Sequence, residues 1–445
     1  MQTTARGGSR FRALGPRQLD EIVRRYPLGG EERETVRLFS RVLPFRVNEY
    51  VLTELIDWSR VPDDPAFQLV FPQPGMLAGE DVDLLRRLDG RPDGDREVVA
   101  AVAGIRARLN PHPGGQLDLN VPRRDGAAVP GLQHKYRETV LYFPGHGQTC
   151  HAYCTYCFRW AQFIGAPDLR FAAPGPEDLI RHLREHPEVT DVLVTGGDPM
   201  VMSSERLRAH LEPLLRVDRV RTIRIGTKSP AYWPQRFTTD PDADDALRLF
   251  EQVVASGRTL AVMAHFSHER ELATPLARRS LARVRATGAS VYCQAPLMAH
   301  VNDSADAWSA LWRAELAAGC VPYYMFVARD TGPYRYFQVS LDRAAGIFRD
   351  AYSRLPGLAR TVRGPVMSAS VGKAVVDGVE ELPEGRFFRL RLLQARDPGL
   401  VARPFRARWS PTAAWLDDLE PDPATDADLL AALSGAAPAA TGARP

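Results

Sequence analysis

TVLYFPGHGQTCHAYCTYCFRW, residues 139–160, runs from a short β-rich stretch straight into three cysteines, Cys150, Cys154 and Cys157, at CxxxCxxC spacing. Outward from it the same alternation repeats. The runs DVLVTG, RTIRIG, TLAVMAHF, ASVYCQAP and CVPYYMFVA are short and rich in β-branched and aromatic residues. Helix-period stretches lie between them: DLIRHLREH, ERLRAHLEPLL, DALRLFEQVVAS, LARRSLARVRAT and AWSALWRAELAAG. Six strands alternating with helices predict an α/β fold, a partial (β/α)6 TIM-like barrel with a parallel sheet and right-handed crossovers. SVGKAVVDGVEE is expected to add an edge strand. In such barrels chemistry gathers where strands end, so the cysteines stand where a site is expected.

The 445 residues are 44% hydrophobic and 25% charged, which excludes disorder as the main state. Residues 1–130 read as a helical N-terminal region without a chemical motif, with RQLDEIVRRY and REVVAAVAGIRARL as its clearest helices. Residues 131–380 form the barrel, 381–420 a C-terminal extension packing on it, and 421–445 a tail expected to be mobile beyond one short helix. The 57 basic and 54 acidic residues are interspersed, so nucleic acid is not an expected partner. There is no apolar run of about 18 residues and no apolar core in MQTTARGGSRFRALG, so no membrane or secretion segment is expected and the location is read as cytoplasmic.

Five cysteines, three of them within eight residues, point to metal chemistry rather than disulfides. Three thiolates on a [4Fe-4S] cluster leave one iron open to an amine and a carboxylate. Zinc is the rival ion, with His134, His146 or His151 as the fourth ligand. TGGDP ends the second strand. There Gly196 and Gly197 permit close backbone approach, and Asp198 offers an acceptor for an ammonium. His265 and His268 in AHFSH are expected at the barrel mouth, touching a nucleoside or relaying protons, and Gln294 is a polar contact after the fifth strand. Cys293 and Cys320 read as core.

The cysteine spacing and the GGD string resemble the radical S-adenosylmethionine superfamily. GLQHKYRETVL, RIGTKSP with WPQRF, AHFSHERELAT, CQAPLMAHVND, VPYYMF, and VRG followed by AVVDG are similar to the lysine 2,3-aminomutase family over about residues 43–378. The resemblance implies a [4Fe-4S] cluster and S-adenosyl-L-methionine as cofactors, with Tyr156 against the adenine and the glycine motif at the methionine amino group. It implies an amino-acid-like substrate held by Arg159 at its carboxylate and by Asp303 and Asp377 at a distal amine. It further implies a flavodoxin or ferredoxin-type reductant and a homo-oligomer.

The chain departs from the family at the pyridoxal phosphate site. Glu384 stands near the place of the cofactor lysine, and Thr139 where a second phosphate-binding arginine belongs. Pyridoxal phosphate is therefore not expected in its usual manner. Only Lys135, Lys228 and Lys373 remain for imine chemistry. Lys373, four residues before Asp377 on a strand, is the candidate for a displaced anchor, and Lys228 is expected in a salt bridge or a cofactor contact. A non-catalytic iron–sulfur or zinc protein is the reading from another class.

Overall fold

The computed structural model describes residues 11–110, 120–165 and 171–434. The expectations for the first ten residues and for the end of the tail lie outside them. Its centre is an eleven-stranded mixed sheet: β1 Leu132–Tyr136, β2 Thr139–Tyr142, β3 Asp191–Val194, β4 Thr222–Thr227, β5 Thr259–His265, β6 Ser290–Leu297, β7 Val321–Val327, β8 Arg363–Ser368, β9 Gly372–Leu382, β10 Gly385–Ala395 and β11 Pro404–Arg408. Spatial order follows chain order throughout. Strands β2 to β8 are parallel, while β1 and β9 to β11 pair antiparallel at either side.

The parallel run thus holds seven strands rather than six. The extra one, β8, reads RGPVMS, and its Gly-Pro pair hides it because proline is rare inside sheets. SVGKAVVDGVEE is likewise no edge: β9 lies between β8 and β10, and the boundary expected at residue 380 falls inside it.

Each crossover between parallel strands carries a helix: α1 Glu177–Glu185, α2 Ser204–Leu211, α3 Ala243–Ala255, α4 Pro275–Ala286, α5 Ala305–Ala317 and α6 Leu341–Ser353. Four of them begin at a hydroxyl cap. Ser203, Thr274, Ser304 and Ser340 accept amide protons from Arg206, Ala277, Ala307 and Arg343, an arrangement worth about 1 kcal/mol each. Val192, Val194, Ile223, Ile225 and Val262 point outward from the sheet and are buried under Leu183, Leu207, Leu249 and Phe250. The opposite face is lined by half-exposed polar groups, among them Asp191, Arg224, Tyr292, Gln294 and Arg363. The sheet curls around that face: Lys135 of β1 donates to Ala369 O beyond β8, and the Lys373 amine of β9 lies 5.5 Å from the Tyr136 ring of β1 and 4.9 Å from the Tyr324 ring of β7.

Helices before the sheet include Leu19–Arg25 and Arg96–Leu109, and a short helix spans Ala427–Leu433. Among the described residues no helix is long and apolar enough to cross a membrane.

Candidate active site

Cys150, Cys154 and Cys157 lie on the loop after β2 as free, half-buried thiols. The loop is braced from two directions. From the N-terminal region, Arg46 donates to Thr149 Oγ1 at 2.6 Å and to Cys150 O at 3.3 Å. The Asn48 amide bridges His151 O and Tyr232 O at 3.1 and 3.0 Å, and Thr155 bonds the Gln68 and Leu69 carbonyls. From the sheet, the Gly-Gly-Asp turn presses on the loop backbone. Asp198 N donates to Thr149 O at 2.7 Å and Gly197 N to Gly147 O at 3.1 Å. A Cβ on Gly197 would sit 2.5 Å from Thr149 O, and one on Gly196, whose φ is +147°, would sit 2.3 Å from Gln148 Nε2. Both positions therefore require glycine for contact with the cysteine loop itself.

Asp198 has a different task from the one expected of it. Its buried carboxylate takes hydrogen bonds from Met200 N, Thr227 Oγ1, Lys228 N and Ser229 Oγ at 2.7–3.0 Å. Burial raises its pKa and these donors pull it back. The group locks the ends of β3 and β4 together and has little acceptor capacity left for an ammonium.

Burial pushes all three thiols up, Cys157 to about 12. A different cation opposes this at each: Arg46 at Cys150, Lys228 at Cys154 and Arg159 at Cys157. Three clustered thiols, mutually repelling once ionised and surrounded by fixed positive charge, suit an anionic metal–thiolate group. Lys228 forms a buried ion pair with Glu271 at 2.6 Å and lies 4.5 Å from the Tyr232 ring, whose hydroxyl is 3.7 Å from Cys154 Sγ. Tyr156 OH lies 3.0 Å from Ser267 Oγ and 3.3 Å from His265 Nδ1. His265 is held neutral by burial and by Lys228. Gln294 stands beside His265 in register. His268 turns away into its own loop, where Nδ1 accepts from Arg270 N.

Arg159 is 8% exposed and stacks 4.0 Å from the Phe143 ring; among the described residues no carboxylate pairs with it. Burial brings its pKa down to about 10. Three more cations extend from it in mutual electrostatic contact: Arg329, whose buried Nε has no hydrogen-bond partner, then Lys135 and Lys373. Burial and neighbouring positive charge lower both lysines to about 7. Lys373 donates to Gln394 Oε1 at 2.7 Å, so its amine does face the interior.

The two expected ammonium-binding carboxylates have other partners. Asp303 pairs with Arg343 at 2.8 Å and Asp377 with Arg391 at 2.9 Å. Glu384 lies in the β9–β10 turn near Arg406. Arg46, Asn48, Gln68, Tyr232, Glu271 and Arg329 went unnoticed in the sequence. The first three act through backbone contacts that leave no motif, while Glu271 lies inside a quoted family string and Tyr232 falls between two of them.

No family model matches the chain. It is 29% identical over 389 residues to a protein of Aquifex aeolicus named "Putative L-lysine 2,3-aminomutase", covering 87% of this chain and 91% of that one. A second Aquifex aeolicus protein of the same name is 27% identical over 76% of this chain and 79% of its own length. The L-lysine 2,3-aminomutase of Escherichia coli K12 is 28% identical over 54% of this chain and 67% of its own. Among solved structures, Streptococcus suis SuiB aligns with 61% of this chain and 54% of its own at 14% identity and a TM-score of 0.34, too loose a likeness to weigh.

Proposed function

We propose that this homologue of the L-lysine 2,3-aminomutases is a radical S-adenosylmethionine enzyme of aminomutase-like type. Its relatives carry that name over most of both chains, and the curled parallel sheet, with cysteines after its first parallel strand, is compatible with a partial barrel. The observation that carries the reading is the doubly braced cysteine loop, with one cation assigned to each thiol. A [4Fe-4S] cluster on Cys150, Cys154 and Cys157 would supply the electron that splits S-adenosylmethionine into methionine and a hydrogen-abstracting 5′-deoxyadenosyl radical.

The rest is the work of the chain's own residues. Gly196, Gly197 and Asp198 hold the loop in shape. Tyr156, with His265 and Ser267 behind it, offers an aromatic face beside the cysteines. Lys228 and Glu271 close the floor as a neutral pair, and Gln294 adds a polar contact. Arg159 provides a bidentate fork for a substrate carboxylate. Buried positive charge in excess of its acids is costly, so Arg329, Lys135 and Lys373, opposed by Asp330, Asp417 and Asp191, favour a substrate with a second anionic group over a diamino acid, the more so because Asp303 and Asp377 already hold arginines. A small flavodoxin or ferredoxin would bring the electron, and the active species is a cytoplasmic homo-oligomer.

The test is anaerobic reconstitution with iron, sulfide, dithionite and S-adenosylmethionine. 5′-Deoxyadenosine should form with wild type and not with Cys154→Ala; equal, negligible yields from both would refute the proposal. Deuterated acidic amino acids then report the substrate by transfer of label into 5′-deoxyadenosine.

A second reading has a specific observation behind it. Lys373 is inward, lowered to about 7 by burial with Arg224 and Arg363 against Asp191, and so part-neutral near pH 7 beside cations that suit a phosphate, the requirements of a displaced pyridoxal phosphate anchor. Our primary reading dispenses with that cofactor because the β9–β10 turn holds Glu384 instead. A saturable imine absorbance on adding pyridoxal phosphate, lost in Lys373→Ala, would reverse the preference.

A further inference from the structure

On the other side of β1 lies a cluster that the cysteine site does not use. His134 on β1, His182 on α1 and His186 at its C-terminal cap present ring nitrogens that all lie within 4.8 Å of one another. The His182 and His186 rings pack side by side, with centroids 4.1 Å apart. His182 is buried, and the other two are half-exposed.

The hydrogen bonds around the cluster fix which nitrogens are bare. His134 Nε2 faces the Arg137 carbonyl at 3.1 Å. A carbonyl only accepts, so Nε2 carries the proton and Nδ1 is left as a lone pair. His186 Nδ1 lies 3.0 Å from Glu188 Oε1, which likewise settles the proton on Nδ1 and bares the other nitrogen. His182 Nε2, 3.0 Å from His134 Nδ1, completes the set. A backbone carbonyl and a carboxylate behind two histidines are the usual outer partners of metal-bound imidazole, which they orient and make more basic.

We propose that His134 Nδ1, His182 Nε2 and the His186 nitrogen turned away from Glu188 hold one divalent ion of the zinc class, its fourth position open to water. Ligand distances of about 2.0–2.1 Å place tetrahedral nitrogens roughly 3.3 Å apart, so the His134–His182 pair, now at 3.0 Å, opens slightly while His186 adjusts by rotation about its side-chain bonds. His182 changes tautomer, moving its proton from Nε2 to Nδ1, and no net proton is released.

The site has a mechanical purpose. β1 is an edge strand paired only with β2, and the pairing is irregular between Gln133 and Tyr136. An ion at His134 clips this strand to α1, while the next residue, Lys135, projects to the opposite face among the crevice cations. Metal occupancy would therefore set the position of Lys135 and Tyr136 from outside.

The experiment uses the full chain with its iron–sulfur cluster loaded, stripped of loose metal and titrated with zinc in competition with a chromophoric chelator. One zinc per chain is expected at micromolar protein, at least a hundredfold weaker in His186→Ala and about tenfold weaker in Glu188→Gln. Cobalt should give tetrahedral ligand-field bands without a thiolate charge-transfer band. No uptake by wild type, uptake unchanged in His186→Ala, or uptake abolished by Cys154→Ser but not by His186→Ala would each overturn the proposal. His186 is half-exposed, so its substitution tests binding rather than folding, and unchanged circular dichroism of that variant confirms this.

Discussion

The cysteine loop and the crevice between β1, β7 and β9 treat buried charge in opposite ways. Around the loop nearly every polar group is matched: Asp198 by four donors, Lys228 by Glu271, Arg46 by Thr149 and Cys150. In the crevice, Arg159, Arg329, Lys135 and Lys373 accumulate, opposed by Asp330 and Asp417 at Arg329 and by Asp191 at Lys373. The matched region is rigid before anything binds, as a cofactor cradle must be. The crevice keeps an excess of buried positive charge, a stored electrostatic cost that an incoming anion relieves.

Breaking the matched side should cost most. Cys154→Ala, assayed for 5′-deoxyadenosine under reducing, oxygen-free conditions, is expected to lose at least a thousandfold in rate and to retain less iron. In the crevice, Arg159→Lys keeps the charge but loses the planar fork. It should lower kcat/KM about a hundredfold, roughly 3 kcal/mol, mostly through KM, with cluster spectra unchanged.

The stored cost also gives a pH signature. The Lys373 ammonium is pulled from 10.5 to about 7 by burial and by Arg224 and Arg363. Between pH 7 and 8.5 the unfolded chain keeps a proton that the folded chain has lost, so stability rises with pH, by up to ~1.4 kcal/mol per unit for each such lysine. Denaturant melts at the two pH values should show Lys373→Met reducing the slope and leaving the share of Lys135. Saturating phosphate should flatten the wild-type slope, since an anion restores the proton. The smallest effect is expected for Asn48→Ala, which leaves the His151 and Tyr232 carbonyls unserved: about 1–2 kcal/mol by urea titration, with slower cluster loading.

Alternating strands and helices, the position of the cysteines at a strand end and the glycine turn beside them could all be read from residue pattern, because each is local in sequence. Strand β8 was hidden by Gly364 and Pro365, whose burial between neighbours overrides a poor β propensity. The tasks of Asp198, Asp303 and Asp377 could not be read, since a carboxylate's partner is decided by what the fold brings within 3 Å. Lys228 was expected in a salt bridge or a cofactor contact, yet its partner Glu271, 43 positions later, had no signature. The crevice cations were invisible for the same reason: they come from β1, β9 and the loops after β2 and β7, and only the curl of the sheet gathers them.

The brace from Arg46, Asn48, Gln68 and Leu69 to the cysteine loop spans roughly a hundred residues of chain. The loop's shape is thereby tied to two distant parts of the chain. The segment around residues 46–69 and the sheet must both be in place before the cysteines take up their positions, so any cluster held there would be received late in folding.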